Sequence, residues 1–216
     1  MYIKTSNQEK VDLGFGGYSC NWGLHIAALY ATEKERDDIL FGFLHQGAED
    51  GDLQLYCFCE MTQDIFETKF SKQYPCCAAK TKNKDVFKFV SAKDCYYPAG
   101  KFSLEDIERN LNSFYSQSQK NGKRNLRTIG AMSWALEAVQ GKENLLAYES
   151  RLNYFISGKP WIGLCMYDLR KFSGDIIMGV LRTHPYTISG RVITENPYYV
   201  NPDIYLAKHA PKFLKK

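Results

Sequence analysis

Short, continuous apolar runs separated by more polar stretches set the rhythm of this chain. Ile26–Tyr30, Leu53–Cys59 and Trp161–Tyr167 are each strand-sized, and they are apolar at successive rather than alternate positions. Runs of that kind mark strands covered on both faces, as in parallel sheets. The first predicted strand is His25–Tyr30. A polar turn, Ala31–Lys34, leads into a helix from about Glu35 to Gly47, with Ile39, Leu40, Phe43 and Leu44 as its apolar stripe. Thr32 and Glu35 have the spacing of a capping box, and Gly47 and Gly51 end the helix.

The alternation continues to the end of the chain. Leu53–Cys59 reads as a strand, Asp64–Tyr74 as a short helix and Val86–Ser91 as a strand. A loop over Ala92–Lys101 leads to Ser103, which caps a helix running to about Lys120 and closed by Asn121-Gly122. Leu126–Gly130 is a strand. A helix follows around Glu143–Phe155, with Leu145, Leu146, Tyr148, Leu152 and Phe155 facing the core. Trp161–Tyr167 is a strand, Ser173–Arg182 a helix, Tyr186–Ile188 a short strand, and Val192–Ile193 extends a hairpin. Strand and helix in such order predict an α/β fold: a mostly parallel central sheet with helices on both faces. The expected organisation is a flexible N-terminal lead-in over 1–21, a single domain over 22–202, and a C-terminal tail over 203–216, frayed at Lys212–Lys216.

Composition narrows the function classes. Of the 216 residues, 44% are hydrophobic, enough for a sizeable core, and the net charge of +4 is scattered, which predicts no direct contact with nucleic acid. The apolar runs fall far short of the roughly 20 residues that span a membrane. Met1–Val11 lacks the apolar core of a signal peptide, so a cytoplasmic chain without membrane contact is expected. Among the seven cysteines, Cys57, Cys59 and Cys165 lie within apolar runs and read as small hydrophobes, and Cys76–Cys77 as free thiols in a loop. No C-x-x-C pair occurs, and no metal ligands are assigned.

Ligands of open α/β sheets bind beyond the carboxyl ends of the strands. That rule selects Tyr30, Thr32 and Glu33 after the first strand, Glu60 after the second, Met132, Ser133 and Trp134 after Leu126–Gly130, and Tyr167, Asp168 and Arg170 at the end of Trp161–Tyr167. Aromatic bodies with a few charges suit a small-molecule pocket. Each residue also has a structural role open to it. Thr32 suits a helix cap, Trp134 the core, Asp168 and Arg170 a local ion pair, and Glu60 a cap for the next helix. His25 suits a core histidine, and His184, before Pro185, a turn. Glu149 and Arg151 read as separate helix-surface or docking groups, because residues two apart do not face each other.

Catalytic signatures are missing from the sequence. There is no G-x-S-x-G elbow, no H-E-x-x-H and no G-x-G-x-x-G. The turn Tyr30–Glu35 has no glycine with which to wrap a phosphate, and Glu33 and Glu35 would repel one. Gly14-Phe15-Gly16-Gly17 has no strand before it and no Gly-Lys-Ser/Thr after it, so it reads as flexible lead-in. No catalytic residue and no cofactor are predicted.

Several ordered stretches resemble the methanogen/methylotroph DcmR-type sensory domain family, MEDS. They are Gly23–Thr32, Met132–Leu136, Tyr148–Asn153, Leu164–Asp168, Arg170–Phe172, Val180–Pro185 and Asn196–Tyr199, together spanning about Trp22 to Pro202. The family writes the first as H-I-C-x-F-Y-x-T, from which Ala27 and Leu29 depart. The resemblance implies a sensor of a small organic ligand, of one-carbon or hydrocarbon type, in a regulatory system. It also implies a RecA/KaiC-like three-layer architecture that has lost its phosphate loop. Thr32–Glu35 would then occupy the place of that loop, Glu60 the place of the KaiC-type glutamate, and Gly130-Ala131 the place of the magnesium-binding aspartate. Relatives are often fused to a DNA-binding or kinase module. Here output is expected through a separate regulator or kinase protein, or through a homo-oligomer. The competing expectations are a residual nucleotide-binding protein or weak ATPase, and a protein-interaction module docking through Tyr186–Tyr205.

Overall fold

The computed structural model describes residues 10–120 and 123–214. In chain order the strands are β1 (Val11–Asp12), β2 (Ser19–Cys20), β3 (Leu24–Tyr30), β4 (Leu53–Phe58), β5 (Phe87–Ser91), β6 (Leu126–Ala131), β7 (Trp161–Asp168), β8 (Tyr186–Ser189) and β9 (Val192–Glu195). The helices are α1 (Glu33–Asp50), α2 (Gln63–Gln73), α3 (Ala92–Tyr96), α4 (Leu104–Ser118), α5 (Leu145–Ile156), α6 (Gly174–Thr183) and α7 (Pro202–His209). The seven-stranded sheet runs β5-β4-β6-β7-β3-β8-β9, and every neighbouring pair is parallel except the β8–β9 hairpin.

Successive residues of the central strands supply opposite faces. In β7, Trp161, Cys165 and Tyr167 enter one core, beneath α4, α5 and α7, while Ile162, Leu164 and Met166 enter the other, beneath α1 and α2. All eight residues of β7 are buried, which is why its sequence shows no alternation. The predicted three-layer α/β architecture is therefore present. The capping box of α1 is present as well: Thr32 Oγ1 accepts from the Glu35 amide at 3.1 Å, and Gly51 ends the helix in the left-handed region.

Three expectations are corrected. The glycine-rich lead-in packs rather than floats: Val11, Leu13 and Phe15 are buried against α1. Its backbone passes so close to the helix that a Cβ on Gly14 would overlap the Gly42 carbonyl oxygen. Arg127 on β6 fastens the same segment, donating to the Asp12 carbonyl oxygen at 3.0 Å and pairing with Asp52 at 2.7 Å and Asp50 at 2.8 Å. At the other end, the first part of the expected tail, 203–209, is helical as part of α7, with Tyr205 and Leu206 buried and the Phe213 carbonyl oxygen accepting from Arg151 at 2.6 Å. Two apolar positions one helical step apart gave too little periodicity to reveal it. Finally, Ala92–Tyr96 is helical where a loop was expected, capped by Ser91, and it brings Cys95 onto β4, where it is disulfide-bonded to Cys57. Cys57 is thus not a free thiol. The Asn121-Gly122 stop and the last two lysines lie outside the described residues.

Gly14 sits at φ 81°, and Gly17, at φ 68°, faces open space. Both substitutions to alanine pay the left-handed penalty of about 1 kcal/mol. Gly14→Ala adds the clash with α1, so we expect it to lower the unfolding free energy by about 2–4 kcal/mol against about 1 kcal/mol for Gly17→Ala, read from urea transitions of equal slope.

Candidate functional site

The strand-end rule gathers part of the predicted set. Tyr30 closes β3, Glu60 follows β4, Ser133 follows β6 and Asp168 closes β7. Tyr30 and Ser133 meet at one carboxylate oxygen of Glu60, with Asp168 beside them through Lys171. Glu60 Oε1 accepts from the Ser133 hydroxyl, lies 3.5 Å from the Tyr30 hydroxyl and 3.8 Å from Lys171 Nζ. Burial first, and Glu60 second, push the Tyr30 phenol upward, so it stays a donor. Asp168 is chelated by Arg170, through Nε at 2.9 Å and Nη2 at 2.7 Å, and accepts the Arg170 backbone amide at 3.0 Å. The guanidinium bond holds its carboxyl below the usual range.

Five predicted residues, Tyr167 among them, are held by contacts other than these. Thr32 is occupied as the cap of α1, and Glu33 is exposed, 3.9 Å from Arg36 and 3.8 Å from Lys69. The Glu35 carboxylate takes the amides of Ala31 and Thr32 at 2.8 and 3.1 Å, so the chain's own acid fills the position at which a helix N-terminus would hold a phosphate. Met132 and Trp134 are fully buried, and the indole stacks on Tyr96 and Phe102 with ring centres 4.9 Å away in each case. The resemblance placed a lost magnesium ligand at Gly130-Ala131. A Cβ on Gly130 would overlap the Tyr96 hydroxyl, so an aspartate there has no room.

Tyr167 belongs to a second group, buried between β3, β7, α5 and the end of α6. Its hydroxyl donates to Glu149 Oε1 at 2.5 Å. The other oxygen, Oε2, lies 3.1 Å from His25 Nε2, 3.4 Å from His184 Nε2 and 3.4 Å from Cys165 Sγ. Burial pushes the Glu149 carboxyl up, but the two histidines outweigh it and hold it well below the ordinary range. Burial and then His184 press the His25 imidazole down to about 4, against the pull of Glu149. The direction of both is that of an ionised carboxylate beside a neutral His25.

Sequence reasoning placed Glu149 on a helix surface, yet it is 0% exposed. Its position was the available signal: Leu145, Glu149, Leu152 and Ile156 form one stripe at helical spacing, and a charge on an apolar stripe is buried with it. His184 was assigned to a turn and is also fully buried, with Nδ1 2.8 Å from the Val180 carbonyl oxygen. Arg151, by contrast, does dock, gripping Glu108 at 2.5 and 2.9 Å.

Next to this group is an interior cavity of about 20 Å³ between β4, β6 and β7 and helices α4 and α5. Leu55, Ile107, Leu111, Leu152 and Ile156 line it, with Thr128, Tyr148 and Cys165 as polar contributors. Among the described residues, no helix is long and apolar enough to cross a membrane.

A parallel sheet between helical layers, with a carboxylate after β4, is the architecture of RecA/KaiC-like domains. Comparison with solved structures agrees. The KaiC-like protein of Pyrococcus horikoshii superposes with a TM-score of 0.59 at 12% identity, covering 83% of this chain and 79% of that one. The flagellar accessory protein FlaH of Methanocaldococcus jannaschii gives 0.55 at 12% identity, covering 87% and 84%. At such identities the likeness is one of fold. Residues 24–185 match the family model described as MEthanogen/methylotroph, DcmR Sensory domain, and the chain belongs to this MEDS family. The transcriptional repressor DcmR of Methylorubrum extorquens is 27% identical over 164 residues, covering 76% of this chain and 58% of the repressor. The chain thus spans under two thirds of that relative's length.

Trp134 fills the core rather than the rim. We expect Trp134→Ala to cost about 3–5 kcal/mol of stability, read as a lower urea midpoint, so that loss of ligand binding in that variant would report unfolding as much as contact.

Proposed function

We propose that this chain is a sensory domain that takes a small, largely apolar ligand of about one-carbon size into the cavity beneath α4 and α5. The observation carrying this reading is the cavity itself. It is lined by aliphatic and aromatic side chains together with the Cys57–Cys95 pair, and reaches the Glu149 group at Cys165. Apolar cavities in otherwise close-packed interiors bind small apolar guests. Membership of a sensory-domain family and similarity to a repressor support regulation rather than catalysis. A guest there would bear on α4 and α5, and so bias a conformational or association equilibrium read by a separate regulator, a kinase or a second copy.

A second reading puts a polar ligand at the strand ends, where Tyr30, Ser133 and Lys171 converge on Glu60, beside Asp168 and Arg170. The closed turn before α1 disfavours a phosphate-bearing one, and with it the residual nucleotide-binding alternative.

Thermal shift with panels of one-carbon compounds, small hydrocarbon derivatives and magnesium-ATP separates these readings. At about 100 times Kd a ligand stabilises by about 2.7 kcal/mol, roughly 5–10 °C for a chain of this size. The expected result is a shift from the small-molecule panel that Leu111→Phe abolishes by filling the cavity and Glu60→Gln leaves intact. A shift insensitive to Leu111→Phe and lost in Glu60→Gln would move the site to the strand ends. A shift with magnesium-ATP alone would overturn the sensory reading.

A further inference from the structure

Four side chains from four separate elements present ligand atoms to one point. His25 from β3, Glu149 from α5, Cys165 from β7 and His184 after α6 are 1%, 0%, 4% and 0% exposed, and their ligand atoms all lie within 4.8 Å of one another. His25 Nε2 is 3.1 Å from Glu149 Oε2 and 3.4 Å from Cys165 Sγ, while Glu149 Oε2 is 3.4 Å from both Cys165 Sγ and His184 Nε2. A tetrahedral zinc ion with ordinary bond lengths holds its ligand atoms about 3.2–3.7 Å apart.

His184 supplies the second, independent observation. Its Nδ1 lies 2.8 Å from the Val180 carbonyl oxygen and donates to it, because a carbonyl oxygen can only accept. With the hydrogen of Nδ1 so engaged, Nε2 is the nitrogen left to take a cation. Among the described residues this buried nitrogen has no hydrogen-bond partner, although it faces Glu149 Oε2 at 3.4 Å. A nitrogen facing a carboxylate at that distance calls for a positive charge between or upon them, supplied by a proton or by a metal ion.

We propose that His25, Glu149, Cys165 and His184 bind one divalent cation of the zinc class. Two imidazoles, a thiolate and a carboxylate form a borderline-soft set that selects zinc over the oxygen-seeking calcium and magnesium. On binding, Cys165 releases its thiol proton to solvent, and the thiolate and carboxylate together cancel the charge of the ion. The loaded site is then neutral, as a fully buried site requires. The outer contacts have the form seen around metal ligands: Tyr167 holds Glu149 Oε1, leaving Oε2 for the ion, and the Val180 carbonyl orients His184. A second group, His45, Glu49, Cys76 and Cys77, lacks these features, because its carboxylate is half-exposed and paired with Lys80 at 2.9 Å.

The test uses the whole chain and no cavity ligand, so it stands or falls apart from the sensory reading. Metal analysis of the purified protein should give one zinc per chain. A strong chelator should lower Tm and added zinc restore it. Cobalt(II) substitution should give intense tetrahedral visible bands and a near-ultraviolet thiolate charge-transfer band. Cys165→Ser should lose that charge-transfer band and at least 10-fold in affinity, while Cys76→Ser/Cys77→Ser keeps both. X-ray absorption of the native zinc form gives an independent check if Cys165→Ser fails to fold, with one sulfur and three nitrogen or oxygen neighbours expected. A folded chain that takes up neither zinc nor cobalt and whose Tm ignores chelator would overturn the proposal. So would a site without sulfur, or one lost in the Cys76/Cys77 variant but not in Cys165→Ser.

Discussion

A carboxylate removed from water has to be surrounded by donors or cations, and the placing of Glu149 follows from that need. Its two oxygens gather Tyr167, His25, Cys165 and His184, so that β3, β7, α5 and the end of α6 converge on one ion. Breaking such an arrangement from one side leaves a buried charge or an orphaned donor, at a cost of several kcal/mol. β3 and β7 are neighbours at the centre of the sheet, and α5 lies over them. The group therefore ties that helix to the two strands, beside the cavity that α5 helps to line.

The likeness to KaiC-like domains is one of shape, and two places in this chain are filled by its own side chains. Before α1, an amide pair suited to a phosphate is taken by Glu35. After β6, the space an acidic side chain would need is taken by Tyr96, itself stacked on Trp134. Both are internal contacts of the folded chain. Glu35 lies at the start of α1, whereas Tyr96 belongs to the layer that holds the cavity and lines it.

Much of the fold could be read from the sequence, because parallel strands buried on both faces leave uninterrupted apolar runs, and Thr32, Glu35 and Ser103 mark helix starts by local chemistry. What was not legible depended on distant partners. Gly14 reads as a flexible residue until Gly42 stands against it. Cys95 reads as a loop thiol until α3 sets it on Cys57. The rim residues Tyr30, Glu60, Ser133 and Asp168 were found by a rule about strand ends, which needs only the element order. His25, Glu149, Cys165 and His184 obey no such rule, since their separations in sequence are set by the lengths of intervening elements. Glu149 alone gave a local sign, a charge on the buried stripe of its helix.

The two faces of the sheet differ in how firmly they are filled. On the α1–α2 side, Phe41, Phe66, Phe70, Phe87 and Phe89 interlock with ring centres 5.1–6.3 Å apart, and Arg127 ties the lead-in to the same layer. On the other side lie the cavity, the polar group and α7; Arg151 of α5 pairs with Glu108 of α4 and donates to the Phe213 carbonyl oxygen just beyond α7. The cavity side has its own ring cluster of Trp134, Tyr96 and Phe102, but its empty space and directional polar contacts leave discrete alternative arrangements open to it. In the sensory reading, a guest acts on the second layer while the first serves as its fixed base. The signal would then emerge through α5 and the helix docked upon it, on the face opposite the lead-in.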